Sequence, residues 1–477
     1  MILLAVVFVP IIGAFLLPIL GSVSERLRNA AAFVFVTVSL AGSLLLWPSV
    51  SQGRPAVILE ALPLGFNLSF AADGLAVFMA VVSSSISAVI VLYSFGYIRH
   101  YDNRNEYYLM VVLFLGSMMG LVFSQNLILL YLFWEITAVA SWRLIGFFRE
   151  KPQVLAADKS FLVTIFGALL MLLGFLMLAQ TAGSFELPDI AAAFRSQPVP
   201  KLAVALILAG ILSKSATLPF HTWLPDAGVA PSPVTALLHA AVLVKIGVYA
   251  YARLFAATLP LDLSMRTAVA GIAAASALVS AGAALVETDL KRIIAYSTIS
   301  QIGFIFLGLT TANSTGTAGA LLYILMHGFA KAGLFLGAGV VEQNTHVKDI
   351  TRLGGLARTM PVTAASFLLC SLSVMGIPPF GGFFSKYMVM SGSVQAGPLV
   401  VTLTFLVGAF MTLLYLFRLF RLVFLGEPSH PDVREGSRGM VFCVALMAAL
   451  SLAGGVLISI PGRAVQFIIT SLPAVLP

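Results

Sequence analysis

Charge is scarce in this chain. Only 10% of its 477 residues are Asp, Glu, Lys or Arg, against about 25% in an ordinary soluble domain. With 60% hydrophobic residues and a mean hydropathy of +1.03, that shortage excludes a water-soluble globular protein. Cysteine is nearly absent too. Cys370 and Cys443 both fall inside apolar runs, where they read as small core residues rather than as a disulfide or a metal site. No CxxC, HExxH, P-loop or GxGxxG-plus-acid pattern occurs, so the chain is expected to hold no cofactor, nucleotide, zinc ion or iron–sulfur cluster of its own. The apolar start, MILLAVVFVP, lacks a basic n-region and a cleavage site, and reads as a retained span. No hydrophilic stretch is long enough for a separate soluble domain.

What remains is hydrocarbon in runs. At roughly 20 apolar residues per span, the sequence predicts an all-α polytopic membrane protein of about fourteen transmembrane helices. A short hairpin is expected in RPAVILEALPLGFNLSFAADG between spans 2 and 3, from its alternation. A short surface helix is expected in SFELPDIAAAFRSQPVP, and the apolar end, GRAVQFIITSLPAVLP, reads as interfacial. Of the 27 basic residues, sixteen lie in odd-numbered loops and six in even loops or at the end, Arg253 among the six. The positive-inside rule then puts the odd loops in the cytoplasm and both termini outside a plasma membrane. The net charge of +8 is a topology signal and calls for no nucleic acid; the surroundings are lipid.

Five basic residues are left inside spans: Arg143, Lys214, Lys245, Lys331 and Lys386. Glu135 joins them. Each charge at the centre of a span costs about 2.5–3.5 kcal/mol, and six together exceed the ~5–15 kcal/mol margin of a folded domain. They must be paired, hydrated or partly neutral. Burial favours the neutral forms of lysine and carboxylate alike, which suits both to passing protons. Arginine keeps its proton, so Arg143, about two turns beyond Glu135, either snorkels to the interface or tunes that glutamate. His239 and Lys245 are six residues apart and need not touch. His327 and Lys331 stand at i, i+4 on one helix face, close enough for a proton to step between them through one water. The run Glu287, Asp289, Lys291, Arg292 reads as a solvated turn.

Two spans carry proline: span 7 in LSKSATLPFHTW and span 12 in LCSLSVMGIPPFGGFFSKYMVM. Proline removes a helical hydrogen bond, and in lipid the freed backbone must meet protein or water lining a cavity. Breaks in corresponding places of two halves point to inverted repeats around an ion path. The expected division is spans 1–3 in residues 1–107, a first five-helix repeat in 108–255, a second in 265–425, and span 14 with the tail in 426–477.

The stretches LSKSATLPFHTWLPDAGVAPSPVTALLHAAVLVKIGVYAYARL, ETDLKRIIAYSTISQIGF, HGFAKAGLFLGAG and GIPPFGGFFSK resemble the antiporter-like subunits of the complex I, Mrp antiporter and membrane-bound hydrogenase superfamily. The resemblance covers spans 3 to 13. It implies two inverted five-helix repeats, broken helices 7 and 12, and a proton path along the membrane midplane. By motif, Glu135 corresponds to the span 5 glutamate, Lys214 to its span 7 partner, and His239 and Lys245 to span 8 relay positions. His327 and Lys331 correspond to span 11, and Lys386 to the distal residue of span 12. The implied partners are other membrane subunits of one complex, further antiporter-like subunits included, with protons or Na+ as cargo. The implied activity is proton translocation driven by a redox partner, with Na+/H+ exchange and a purely structural membrane role as alternatives. A histidine and a lysine together in span 8 resemble Mrp or hydrogenase members at least as much as complex I, and no long lateral helix follows span 14.

Overall fold

The computed structural model describes residues 1–61, 67–397 and 399–472. Helices α1 (Ile2–Val23) and α2 (Glu25–Ser51) form an antiparallel pair. Strands β1 (Ala56–Ala61) and β2 (Asn67–Ala72) pair antiparallel, Ala56 opposite Ala72; this is the expected hairpin, its turn lying outside the described residues. Next come α3 (Gly74–Tyr97), α4 (Arg104–Phe123), α5 (Leu127–Ile145) and α6 (Lys151–Ala182). The surface helix α7 (Leu187–Ala193) and the half-span α8 (Lys201–Lys214) follow. After a short α9 (Trp223–Asp226), α10 (Ser232–Ala236) and α11 (Leu243–Tyr251) join through a π-helical turn at Leu237–Ala241. A second π-helical turn, Ala252–Ala256, ends that span.

The second half contains α12 (Leu263–Val286), α13 (Leu290–Thr310) and α14 (Ser314–Thr345). A short α15 (Leu356–Thr359) leads to α16 (Pro361–Met375) and α17 (Gly381–Ala396), then α18 (Leu399–Phe424), α19 (Arg438–Val456) and α20 (Ser459–Thr470).

Twelve helices among the described residues are long and apolar enough to cross a membrane. The two expected spans missing from that set are the broken ones. Fourteen residues in α8 reach only about 21 Å, short of the ~30 Å hydrocarbon core. The pieces α16 and α17 have 15 and 16 residues. A count of fourteen is reached only if each broken helix is taken as one span.

Burial sorts the helices into two layers. The spans α3, α4, α13, α14 and Ser232–Ala256 are 83–100% buried over their apolar windows, whereas α1, α2, α6, α12, α18 and α19 are 33–39% buried. The outer group is apolar all round because its outward side faces lipid rather than water. The inner group carries Lys245, His239, His327 and Lys331, all fully buried.

Ion pairs tie the loops of one face together. Glu25 of the first loop meets Arg104 of the third at 3.0 Å. Glu106 takes Arg149 from the fifth loop at 2.5 Å. Asp226 holds Lys159 and Arg292, both at 2.7 Å, and Glu342 holds Lys291 at 2.9 Å and Lys348 at 3.3 Å. Arg418 donates to the Glu287 carbonyl at 2.8 Å. The odd loops therefore share one face. On the other face Lys201 meets Asp262 at 3.1 Å. Lys291 departs from expectation: it is 3% exposed and also donates to the Ala230 carbonyl at 2.9 Å, so that turn is docked rather than solvated.

Both proline breaks are closed by protein. At the first, Thr217 N–H returns to the Leu212 carbonyl at 3.0 Å, Leu218 N–H donates to Ser276 Oγ of α12 at 3.0 Å, and the buried Trp223 indole donates to the Ser213 carbonyl at 3.0 Å. Removing the Ser276 hydroxyl leaves the Leu218 N–H without its partner. Ser276→Ala is expected to lower stability by about 1–3 kcal/mol, read as a reduced melting temperature in detergent. At the second break Gly376 adopts φ +86°, which only glycine reaches without strain. The carbonyl of Val374 would pair with residue 378 in an unbroken helix, but Pro378 has no N–H. Lys386 Nζ takes its place, donating to that carbonyl at 2.7 Å.

Candidate functional site

The inner helices and the broken helices α8 and α17 bring the expected residues into one buried row. Lys214, Lys245, His239, His327 and Lys331 are fully buried and Lys386 is 5% exposed. Among the described residues none of the four lysines makes an ion pair, and each is held by neutral oxygen or nitrogen.

At the first station α8 ends on Lys214, and its Nζ donates to the carbonyl of Trp134 on α5 at 3.2 Å. The ammonium lies 5.5 Å from the centroid of the Trp134 ring. Glu135 is the next residue, yet the expected Glu135–Lys214 ion pair is not closed. Glu135 Oε1 is buried and has no hydrogen-bond partner among the described residues. The lysine has taken the backbone oxygen beside the carboxylate instead of the carboxylate.

Arg143 makes its ion pair away from Glu135. It sits in the last turn of α5 and pairs with Glu106, its Nε donating to Oε1 at 2.8 Å; Arg149 shares that carboxylate. Its place is the odd-loop interface, where a snorkelling arginine ends.

Between the first and second stations lies Ser215, whose buried hydroxyl lacks a partner among the described residues. It packs against Gly247 of α11, where any Cβ would overlap Ser215 Oγ and the Ile211 carbonyl. Glycine is what lets the end of α8 approach the helix that carries Lys245.

The second station joins the two halves of the chain. Lys245 Nζ and His327 Nδ1 are 2.6 Å apart, and Lys245 also donates to the His239 carbonyl at 3.4 Å. The contact is with the backbone of His239, which lies in the π-helical turn just before the helix that carries Lys245. The His239 ring lies 4.4 Å from the Phe335 ring, centroid to centroid, and neither ring nitrogen has a partner among the described residues. His327 makes its direct contact with Lys245 through Nδ1, while its Nε2 has no partner among the described residues.

Lys331 turns to α13, donating to Ser297 Oγ at 2.6 Å and to the Ile294 carbonyl at 3.1 Å. Ser297 bonds the Tyr415 hydroxyl at 2.7 Å. Gln301 Nε2 reaches Tyr415 and Thr412, both at 3.2 Å, and its Oε1 accepts from Tyr323 at 2.6 Å. The last station, Lys386, lies 5.7 Å from the Tyr323 ring and 5.2 Å from the Phe304 ring, measured to the centroids. A string of hydroxyl and amide groups thus connects Lys331 with the surroundings of Lys386. None of the expectations from sequence included this string. Its available signal was Ser297 and Gln301 at i, i+4 in YSTISQIG, a spacing that puts both on one face.

Residues 124–412 match the family described as NADH:quinone oxidoreductase/Mrp antiporter, TM. Residues 59–108 match the one described as NADH-Ubiquinone oxidoreductase (complex I), chain 5 N-terminus. The chain is 32% identical over 501 residues to Na(+)/H(+) antiporter subunit A1 of Staphylococcus haemolyticus, covering 97% of this chain and 61% of that protein. It is 33% identical over 449 residues to NAD(P)H-quinone oxidoreductase chain 5 of a Picosynechococcus species, covering 88% of this chain and 67% of that protein. It thus spans about three fifths of the length of the antiporter relative. A chain of the membrane-bound sulfane sulfur reductase, an archaeal respiratory membrane complex, superposes with a TM-score of 0.91 at 23% identity, over 98% of this chain and 97% of that one. At that identity the likeness speaks for the fold alone.

Proposed function

The chain belongs to the NADH:quinone oxidoreductase/Mrp antiporter membrane family, and from that premise we propose that it carries protons along its buried row as one membrane subunit of a larger complex. The path runs from Glu135 and Lys214 through Lys245, His327 and Lys331 to Lys386. The two broken helices lie in corresponding places of two inverted five-helix repeats. The membrane is the plasma membrane, with the odd-loop face in the cytoplasm and the N-terminus outside.

One observation carries this reading: the 2.6 Å contact between Lys245 Nζ and His327 Nδ1. A hydrogen bond needs one donor and one acceptor, so one of these two bases must be without its extra proton. Two full charges at that distance would repel by about 6 kcal/mol at an effective dielectric of 20. The pair therefore holds a proton vacancy in the middle of the membrane. A proton delivered from Lys214 enters the vacancy, and its charge favours release on the far side toward Lys331. The unpartnered Glu135 Oε1, Ser215 Oγ and His327 Nε2 each cost about 1–3 kcal/mol if left dry, and mark where water completes the row. Energy for directed transport comes from partner subunits, through a redox reaction. A second reading is Na+/H+ exchange, favoured by the match to an antiporter subunit A1 over 97% of the chain.

The test is proton flux through the assembled complex in proteoliposomes. Ser297→Ala removes the 2.6 Å bond to Lys331, and a lost bond of about 1.4 kcal/mol slows flux about tenfold. Undiminished flux in that variant would sink the path. Flux that requires Na+ and no electron donor would decide for exchange.

A further inference from the structure

Toward the even-loop face, α11 and its π-helical end carry a polar stripe that the relay does not use. Lys245, Tyr249 and Arg253 follow one another at four-residue intervals, a spacing that lines one side of a helix. The charge count places Arg253 in an even loop, but it is 5% exposed, and Tyr249 is fully buried. The guanidinium grips Asp73 with both ends, Nη1 to Oδ2 at 2.5 Å and Nη2 to Oδ1 at 2.8 Å. Its Nε donates to the Tyr249 hydroxyl at 2.9 Å. That hydroxyl donates to the Val122 carbonyl at 2.5 Å. Asp73 is fixed from its other side as the N-cap of α3, accepting from Ala76 N–H at 2.9 Å, and its side chain is 37% exposed. The stripe therefore runs from a buried relay lysine to a carboxylate in contact with the surface.

Such a stripe could conduct protons or stop them, and the chemistry decides between the two. Arginine does not release its proton in proteins. The single proton of the Tyr249 hydroxyl is committed to a carbonyl, which cannot hand a proton on. A fixed guanidinium in a narrow polar path repels protons and cations. We propose that Arg253, clamped by Asp73 and Tyr249, is a seal that keeps ions on the even-loop side from reaching Lys245. The proposal rests on the relay reading above, and it leaves the Lys386 end as the place of exchange with that side. Burial pushes the Asp73 carboxyl up, but the Arg253 charge and hydrogen bonds outweigh it and hold it below the usual carboxylate range. A depressed carboxylate keeps its pair at all pH above that range and loses it only as pH falls through the lowered value. Mild acid outside the membrane does not open the clamp.

The experiment measures passive proton leak in proteoliposomes of the assembled complex, under an imposed membrane potential and with no driving reaction. Arg253→Gln and Asp73→Asn are expected to raise the leak several-fold. Asparagine still caps α3, so Asp73→Asn tests the clamp with the helix start kept. Arg253→Lys is expected to leak as well, because a buried lysine can shed the proton that arginine keeps. Adding Lys245→Met to Arg253→Gln restores tightness, because the leak passes through Lys245; a bilayer defect from misfolding would not respond to that change. Unchanged leak in both Arg253→Gln and Asp73→Asn, or a leak indifferent to Lys245→Met, overturns the seal. If instead Lys245→Met alone leaves driven flux intact, the relay itself is wrong.

Discussion

If the proposed relay is right, Lys245→Met is expected to stop driven proton flux and to leave the protein at least as stable. Loss of a group that transfers protons lowers a rate by about 10²–10⁴, so flux should fall by at least about 10². Stability moves the other way. Lys245 is fully buried, and its contacts are the His327 ring nitrogen and one carbonyl. A charge at membrane depth costs about 2.5–3.5 kcal/mol, and methionine fills much of the same volume without it. Against that gain stands the loss of His327's partner, about 1–3 kcal/mol for an unsatisfied buried group. The two nearly cancel, so the melting temperature in detergent stays level or rises. A lysine kept only to hold helices together would show the reverse: lower stability and proportionate loss of every activity. A variant that melts well below wild type while the remaining intact complexes pump at full rate would remove Lys245 from the path.

The parts of this architecture legible in the sequence are those encoded locally. The spans, the hairpin around residues 56–72, the proline breaks and the grouping of odd loops each depend on composition within a short window. The row of buried charges was legible for the same reason, because each charge stands out against its own apolar flanks. The partners of those charges were not. Arg143 finds Glu106 thirty-seven residues earlier, and Lys245 finds His327 eighty-two residues later; no periodicity announces either meeting. The i, i+4 spacing of His327 and Lys331 spoke for a shared face, but not for the direct partner of His327, which a second helix supplies in Lys245. The π-helical turn that holds His239 has no sequence period, so the contact of Lys245 with the His239 carbonyl was not legible. Arg253 looked like a loop residue because it ends an apolar run, and only the fold shows Asp73 waiting for it.

Lys214→Arg should abolish driven flux as completely as Lys214→Ala. The structure finds Lys214 away from its carboxylate, donating to the Trp134 carbonyl, with the Glu135 oxygen beside it unpartnered. Two roles fit that position. In one, Lys214 is a fixed positive charge that attracts Glu135 and locks α5 to α8; in the other, it gives up a proton when it stands apart from Glu135 and takes one when the pair closes. Arginine separates them. It keeps a full charge and can grip both the carbonyl and the carboxylate, but it does not release a proton in proteins. The fixed-charge role survives Lys214→Arg; the relay role loses about 10² or more, the scale of a missing proton-transfer group. Glu135→Gln adds a control in the opposite sense. It preserves size and hydrogen bonding at the orphaned oxygen while deleting the charge that draws Lys214 back, so loading of the lysine slows and flux falls with Lys214 itself intact. Flux near the wild-type level in Lys214→Arg would reassign Lys214 to holding the two helices together and would move the start of the proton path to Lys245.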